Sequence, residues 1–236
     1  MKKYLCLFLL SMLAACADDP LVVQQPQPVV LLQGICQVDQ AATPDPFIDC
    51  VEKFSPTAGT TFGQDKYPQI IFNAPEGAGE SQGSLDVLSL GCGGSITVFF
   101  DDPAIANGTG VDFSVFENAF KAGSVSFVEP AQVSVSEDGQ TWFDFPCDYL
   151  NVAATGCAGV SPVYANSQNG VSPLDPAVSG GDSFDLDGTG MSTVRYVKLE
   201  DKTKEYYAAQ NLSSTIYCGL TGGFDLDAIA AINVGP

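Results

Sequence analysis

Past its first fifteen residues this chain keeps its apolar residues in short runs, each closed by glycine, proline or aspartate, and that interruption governs what it can fold into. Gln69–Phe72, Asp86–Leu90, Ser95–Phe100, Asp112–Phe116, Ala131–Ser136, Trp142–Phe145, Val194–Leu199 and Phe224–Val234 are such runs. Runs this short, flanked by turn formers, suit strands and leave little room for helices. With 24 glycines and 15 prolines, and with Val, Ile, Thr and Phe carrying the apolar content, the composition is that of a loop-rich all-β domain. Only the segment around Lys202–Gln210 is expected to be helical.

Two of the runs specify more than strand character. Ala131–Ser136 and Trp142–Phe145 flank Glu137-Asp138-Gly139-Gln140, so the Asp-Gly pair predicts a hairpin. Val194–Leu199 alternates cleanly, which predicts one buried face and one open face carrying Arg195 and Lys198.

The N-terminus is built differently. Lys2 and Lys3 precede the apolar run Tyr4–Leu13, and Leu13-Ala14-Ala15-Cys16 closes it with small residues. Basic start, short apolar stretch and small-residue end are the parts of a secretory signal peptide, here residues 1–15. The run is about half as long as a membrane-spanning helix requires. The cysteine after the small pair resembles the lipobox of bacterial lipoproteins, which implies that Cys16 is acylated and anchors an exported chain to a bacterial membrane. Residues 16–34, rich in proline and glutamine, are expected to be a tether, with a single β-sandwich domain over 35–236.

Removing the leader takes Lys2 and Lys3 with it and leaves seven basic residues against 28 acidic ones, a net charge of −21. So acidic a surface repels nucleic acid and anionic headgroups. Divalent cations and neutral ligands remain as partners. Histidine is absent, which excludes Ser-His and Cys-His nucleophiles and the usual zinc ligands. After Cys16 come Cys36, Cys50, Cys92, Cys147, Cys157 and Cys218, none in a C-x-x-C pair. In an exported chain they read as disulfides. Cys147–Cys157 is the easiest closure, Cys36–Cys50 the next, and Cys92–Cys218 follows by elimination.

Val133-Ser-Val-Ser-Glu-Asp-Gly-Gln-Thr-Trp142, with Val194-Arg-Tyr-Val-Lys-Leu199 after a long excursion, resembles the signature of discoidin-like, galactose-binding-like jelly rolls. A second set is similar to a family of exported bacterial cell-surface proteins built on such a core. It comprises Phe62-Gly-Gln-Asp65, Val87-Leu-Ser-Leu-Gly91 with Gly93-Gly94-Ser-Ile96, Asp112-Phe-Ser-Val-Phe-Glu-Asn118 and Gly223-Phe-Asp-Leu-Asp-Ala228. The resemblance implies a jelly-roll β-sandwich in which Trp142 packs. Among relatives of the broad fold it also implies glycan binding and a calcium ion. Fold likeness alone licenses only that class of expectation.

The acidic residues supply the chemistry. Asp185 and Asp187, like Asp225 and Asp227, sit in a Phe-Asp-Leu-Asp stretch behind glycines. Extended, each stretch turns Phe and Leu to the core and both aspartates to the other face, where two carboxylates about 7 Å apart suit calcium. Turn aspartates bonding their own backbone are the alternative. Asp112, Glu117 and Asn118 bracket an apolar strand and can ligate a cation, cap a loop or hold a sugar hydroxyl. Glu117 with Asp112, or Glu117 with Asp227, would alternatively supply the two carboxylates of a glycosidase. Tyr206, Tyr207 and Tyr217 are the aromatic residues placed to offer an exposed binding surface. We therefore read the chain as a lipid-anchored, non-catalytic binding module for glycan or another surface polymer, with a structural calcium ion. A structural envelope protein without a small ligand is the first alternative, and a carboxylate-dependent glycan-cleaving enzyme the second.

Overall fold

A computed structural model describes residues 45–101, 103–123, 125–212, 218 and 221–235, and the backbone of 32–33. The leader, Cys16, Cys36 and Tyr217 lie outside the described residues. In chain order the strands are β1 (Leu32–Gln33), β2 (Cys50–Ser55), β3 (Leu88–Ser89), β4 (Ser95–Phe99), β5 (Ala104–Ala106), β6 (Phe113–Phe116), β7 (Phe120–Ala122) and β8 (Val125–Phe127). There follow β9 (Ala131–Ser136), β10 (Phe143–Asp144), β11 (Asp182–Phe184), β12 (Thr193–Val194) and β13 (Tyr196–Asp201). The last are β14 (Asp225–Leu226), β15 (Ala228–Ala231) and β16 (Val234–Gly235). The fold is all-β and every pairing is antiparallel.

The main layer is a six-stranded sheet ordered β1-β2-β4-β13-β9-β10. β9 and β10 are the hairpin that Asp138-Gly139 predicts, in register Phe143 to Val135. Asp138 holds the turn, its carboxylate accepting from the N–H groups of Gln140 and Thr141 at 2.8 and 2.7 Å. In β13 Val197, Leu199 and Asp201 are buried while Tyr196, Lys198 and Glu200 stay partly open, as alternation requires. Trp142 sits on that open face, its ring edge toward Tyr196 at 6.5 Å and Lys198 Nζ 5.0 Å from its centroid. It packs, but on the outside of the sheet.

A three-stranded sheet, β11-β6-β15, faces this layer. Val51, Phe54, Ile96, Val98, Val133, Val135, Val197 and Leu199 of the large sheet form one core with Phe113, Val115, Phe184, Ile229 and Ala231 of the small one. Phe113 and Phe184 stack between them at 5.1 Å, and Phe145 meets the two with its ring turned, at 5.9 and 5.0 Å. β6 and β15 are buried at every position. Their far face carries Phe116, Ala228 and Ala230, and Val163 of the β10–β11 excursion covers it with Phe47.

Several expectations are corrected. Gln69–Ile71 is a 3-10 turn after Pro68, and both Ile70 and Ile71 are buried, which a one-faced strand would not allow. Val194–Leu199 divides at Arg195: Val194 pairs with β5, whereas β13 pairs with β4 and β9. Phe224–Val234 divides into β14, β15 and β16, which join three different sheets. Leu32 and Gln33, within the segment expected to be a tether, pair with Phe54 and Lys53 at the edge of the large sheet. The expected helix is present as α1 (Thr203–Ala209). Cys147–Cys157 and Cys92–Cys218 are disulfides, and Cys50 is disulfide-bonded as well.

Candidate functional site

The second Phe-Asp-Leu-Asp stretch is the centre of the site. Phe224 and Leu226 are fully buried, and the chain enters them through Gly223, whose φ of +82° favours glycine. A Cβ at Gly223 would lie 2.5 Å from the carbonyl carbon of Gly91 and 2.6 Å from the nitrogen of Cys92. Close approach to that backbone therefore admits glycine alone. The Cys92–Cys218 bridge ties the same two segments together.

From this lead three consecutive backbone N–H groups reach three different carboxylates. Gly223 donates to Glu129 Oε1 at 2.7 Å, Phe224 to Asp201 Oδ2 at 2.7 Å and Asp225 to Glu117 Oε1 at 3.3 Å. Asp201 also accepts from the Gly93 N–H at 2.7 Å and the Thr203 hydroxyl at 2.6 Å, so its oxygens are occupied. Asp225 accepts from the Ser89 hydroxyl and from Asn118. Asn118 Oδ1 in turn accepts the Ser84 N–H. Glu117 is 1% exposed, and its Oε2 has no hydrogen-bond partner.

Burial dominates the electrostatics. It lifts Glu117 well above the ordinary carboxylate range, with the negative charges of Glu129 and Asp225 adding to the rise. Glu129 is raised well above that range for the same first reason, then by Asp225. Asp225 is pushed up to about 7 by burial, against the hydrogen bonds from Ser89 and Asn118. Asp227 is pushed up to about 8, again by burial, although both its oxygens lie 3.1 Å from the Glu76 nitrogen that donates to them.

Above the carboxylates opens a cavity of about 320 Å³, lined among others by Phe62, Asn118, Phe120, Phe127, Glu129 and Asp225. Phe120 and Phe127, stacked at 4.8 Å across the β7–β8 hairpin, also border a second cavity of about 480 Å³ beside Val128, Val152, Tyr206 and Tyr207. The expectation of an exposed tyrosine surface is corrected there. Tyr206 and Tyr207 are buried, with the Tyr206 hydroxyl donating to the Val152 carbonyl at 3.0 Å and the Tyr207 hydroxyl accepting from the Val128 N–H at 3.2 Å.

Of the residues singled out from sequence, the structure gathers Glu117, Asn118 and Asp225. Asp227 turns to the Glu76 N–H. Asp112 is a buried structural acid that accepts from Gly108 and Leu186 N–H at 2.8 and 2.7 Å and from the Asn233 amide at 2.8 Å. Asp185 closes a turn by accepting the Asp187 N–H at 2.8 Å, and Asp187 is exposed. The first stretch therefore takes the turn alternative. No short-range pattern singles out Glu129, one acid in Val128-Glu129-Pro130 whose partner Gly223 lies far away in the chain. The only available signal was an acid directly after the apolar Val125–Val128 segment.

Among the described residues no group of three or more carboxylate or thiol side chains is placed to hold a metal ion. Nor is any helix among them long and apolar enough to cross a membrane. Compared with protein-family models and with curated proteins, the chain matches none.

Proposed function

We propose that this protein is a lipid-anchored, exported binding module whose pocket over Glu129 and Asp225 takes a neutral, hydroxyl-rich ligand such as a glycan. The observation that carries this is the cavity of about 320 Å³, in which the rings of Phe62, Phe120 and Phe127 meet the polar groups of Asn118, Glu129 and Asp225. Sugars present apolar C–H faces to aromatic rings and hydroxyls to carboxylate and amide oxygens, and pockets of this mixed kind are the usual small-ligand sites. Phosphorylated or carboxylated ligands meet the repulsion of the acids instead. Two facing antiparallel layers, whose larger sheet interleaves strands distant in sequence, support a jelly-roll arrangement of the galactose-binding-like kind.

A glycan array probed with the folded domain tests this. Binding that falls on Asn118→Ala or Phe120→Ala is expected, and no binding across neutral polysaccharides counts against the assignment. Cys16→Ser should leave the chain uncleaved or release it from the membrane fraction, and unchanged maturation and fractionation would remove the lipid anchor. One observation favours the enzymatic alternative: Glu129 and Asp225 border the same cavity, and Asp225 is held up to about 7, where a carboxyl can act as an acid. Turnover of a polysaccharide that disappears in Asp225→Asn would replace binding by cleavage.

A further inference from the structure

The two cavities share one partition. β7 and β8 pair Phe120 with Phe127, and the stacked rings of that pair border both spaces. Next to the pair, neighbouring residues divide between the two. Asn118 and Glu129 line the smaller cavity, whereas Ala119 and Val128 line the larger. Extended chain turns consecutive side chains to opposite faces, so polar groups go to one compartment and apolar groups to the other.

The larger cavity, about 480 Å³, has the size of a small-ligand site. Several of its polar side chains are engaged within the chain. The Tyr206 hydroxyl donates to the Val152 carbonyl, the Tyr207 hydroxyl accepts the Val128 N–H, and Gln210 Nε2 donates to the Leu150 carbonyl at 3.2 Å. Lys121 pairs with Glu80 at 3.5 Å, which offsets the one charge that would draw an anionic chain end into this wall. Val152 and Ala153 lie in the loop that Cys147–Cys157 closes, and both cysteines pack with Tyr206 and Tyr207, so this wall is pinned in place. Val152 and Leu212 line the cavity and are nonetheless exposed, which extends its apolar surface to the outside. An apolar cavity with an apolar rim favours an apolar occupant over water.

We infer that the larger cavity takes the alkyl chain of a neutral glycolipid whose sugar rests in the smaller one, with Phe120 and Phe127 touching both parts. This rests on the assignment of the smaller pocket to a glycan. The uncharged headgroup follows from Glu129 and Asp225, which line that pocket and disfavour an anion.

The test is displacement of a neutral fluorescent probe, N-phenyl-1-naphthylamine, from the intact protein by straight-chain alcohols from butanol to octanol. The probe should brighten on binding, and each added methylene should improve displacement about three- to fourfold until the cavity is full. Val152→Asp sets a charge in the wall and should weaken octanol binding by more than about tenfold. Val178→Asp, at an exposed position that lines neither cavity, should leave it unchanged. Ala153→Trp, also at an exposed position of the wall, should block the probe. Among octyl glycosides of glucose, galactose and mannose, kept below their micelle-forming concentrations, at least one should bind more than about tenfold more tightly than octanol. No brightening of the probe, displacement indifferent to chain length, or equal losses in Val152→Asp and Val178→Asp would overturn the inference. Octyl glycosides that bind no better than octanol would do the same. A protein that binds glycans on an array but no alcohol fails this inference alone. One that binds the alcohols in series, but neither array glycans nor the glycosides more tightly, fails the glycan assignment and the shared ligand with it.

Discussion

Gly223 offers a measurable contrast with Gly188, because both have almost the same φ and opposite surroundings. Their φ angles are +82° and +86°, yet a Cβ at Gly188 meets nothing within 4 Å whereas one at Gly223 meets Gly91 and Cys92 backbone at 2.5 and 2.6 Å. An alanine in this conformation costs roughly 1–2 kcal/mol wherever it sits. At Gly223 the overlap must also be relieved, and the facing backbone cannot yield easily. It is held by the Cys92–Cys218 bridge and by the Leu90 N–H donating to the Phe224 carbonyl at 2.8 Å. Overpacking against such a wall adds about 1–3 kcal/mol. At roughly 2–4 °C per kcal/mol for a domain of this size, Gly188→Ala should lower the melting temperature by a few degrees and Gly223→Ala by roughly twice that or more. Thermal and urea unfolding of both variants in one buffer measures the difference. Equal losses would refute the claim that the glycine lead of this stretch is dictated by its neighbour's backbone.

Asp182 supplies a pH test away from the pocket. Burial raises its pKa in the folded state, opposed by N–H groups of Val160 and Ser161, so the fold disfavours its charged form. Its contribution to stability is therefore fully present below the unfolded value near 3.9 and is lost as pH rises through the higher folded value. Asp182→Asn should flatten the stability–pH curve over that window in urea unfolding, and curves that stay parallel would contradict it. Replacing Cys147 and Cys157 by serine opens a loop of sequence separation 10 and should cost about 3 kcal/mol, read as a lower urea midpoint; an unchanged midpoint would count against it. Lys198→Ala should cost about 0.5–1 kcal/mol and alter the emission of Trp142, the only tryptophan, because it removes a cation over the indole ring. Unaltered fluorescence would mean that the ammonium does not rest there.

What could be read from the residues was what short-range rules govern. The Asp138-Gly139 turn set the β9–β10 hairpin, strict alternation set the two faces of β13, and the buried Phe and Leu of both Phe-Asp-Leu-Asp stretches followed from their period. Cysteine spacing anticipated Cys147–Cys157. Where one apolar run serves three sheets, as 224–234 does, periodicity carries no mark of the partition, because partner choice is made by strands a hundred residues away. The same holds for the pocket. Glu117, Glu129 and Asp225 come from three separate segments, and the Gly223 and Asp225 N–H groups together with the Asn118 side chain bring them together. Tyr206 and Tyr207 are buried and not exposed because their hydroxyls meet the Val152 carbonyl and the Val128 N–H, partners far off in the chain that no local pattern announces.

The β6–β15 pair, covered on its far side by Val163 and Phe47, changes the standing of the long excursion between β10 and β11. That stretch of chain is a roof over two strands with no polar face of their own; it closes on itself through Gly181 N–H to the Pro162 carbonyl at 3.0 Å and the Val163–Gly180 bridge, and it is tied to a separate segment by Gly77 N–H to the Ala165 carbonyl at 3.0 Å and Gly79 N–H to the Val163 carbonyl at 2.9 Å. Loops that merely connect can shrink or grow between descendants of one ancestor with little consequence. A roof cannot, because shortening it would leave Phe116, Ala228 and Ala230 facing water. Drift in length along this chain is thus confined to the parts of the excursion that cover nothing, such as the exposed run from Gln168 to Val178, and any shorter version of the domain must have found another lid for the same two strands.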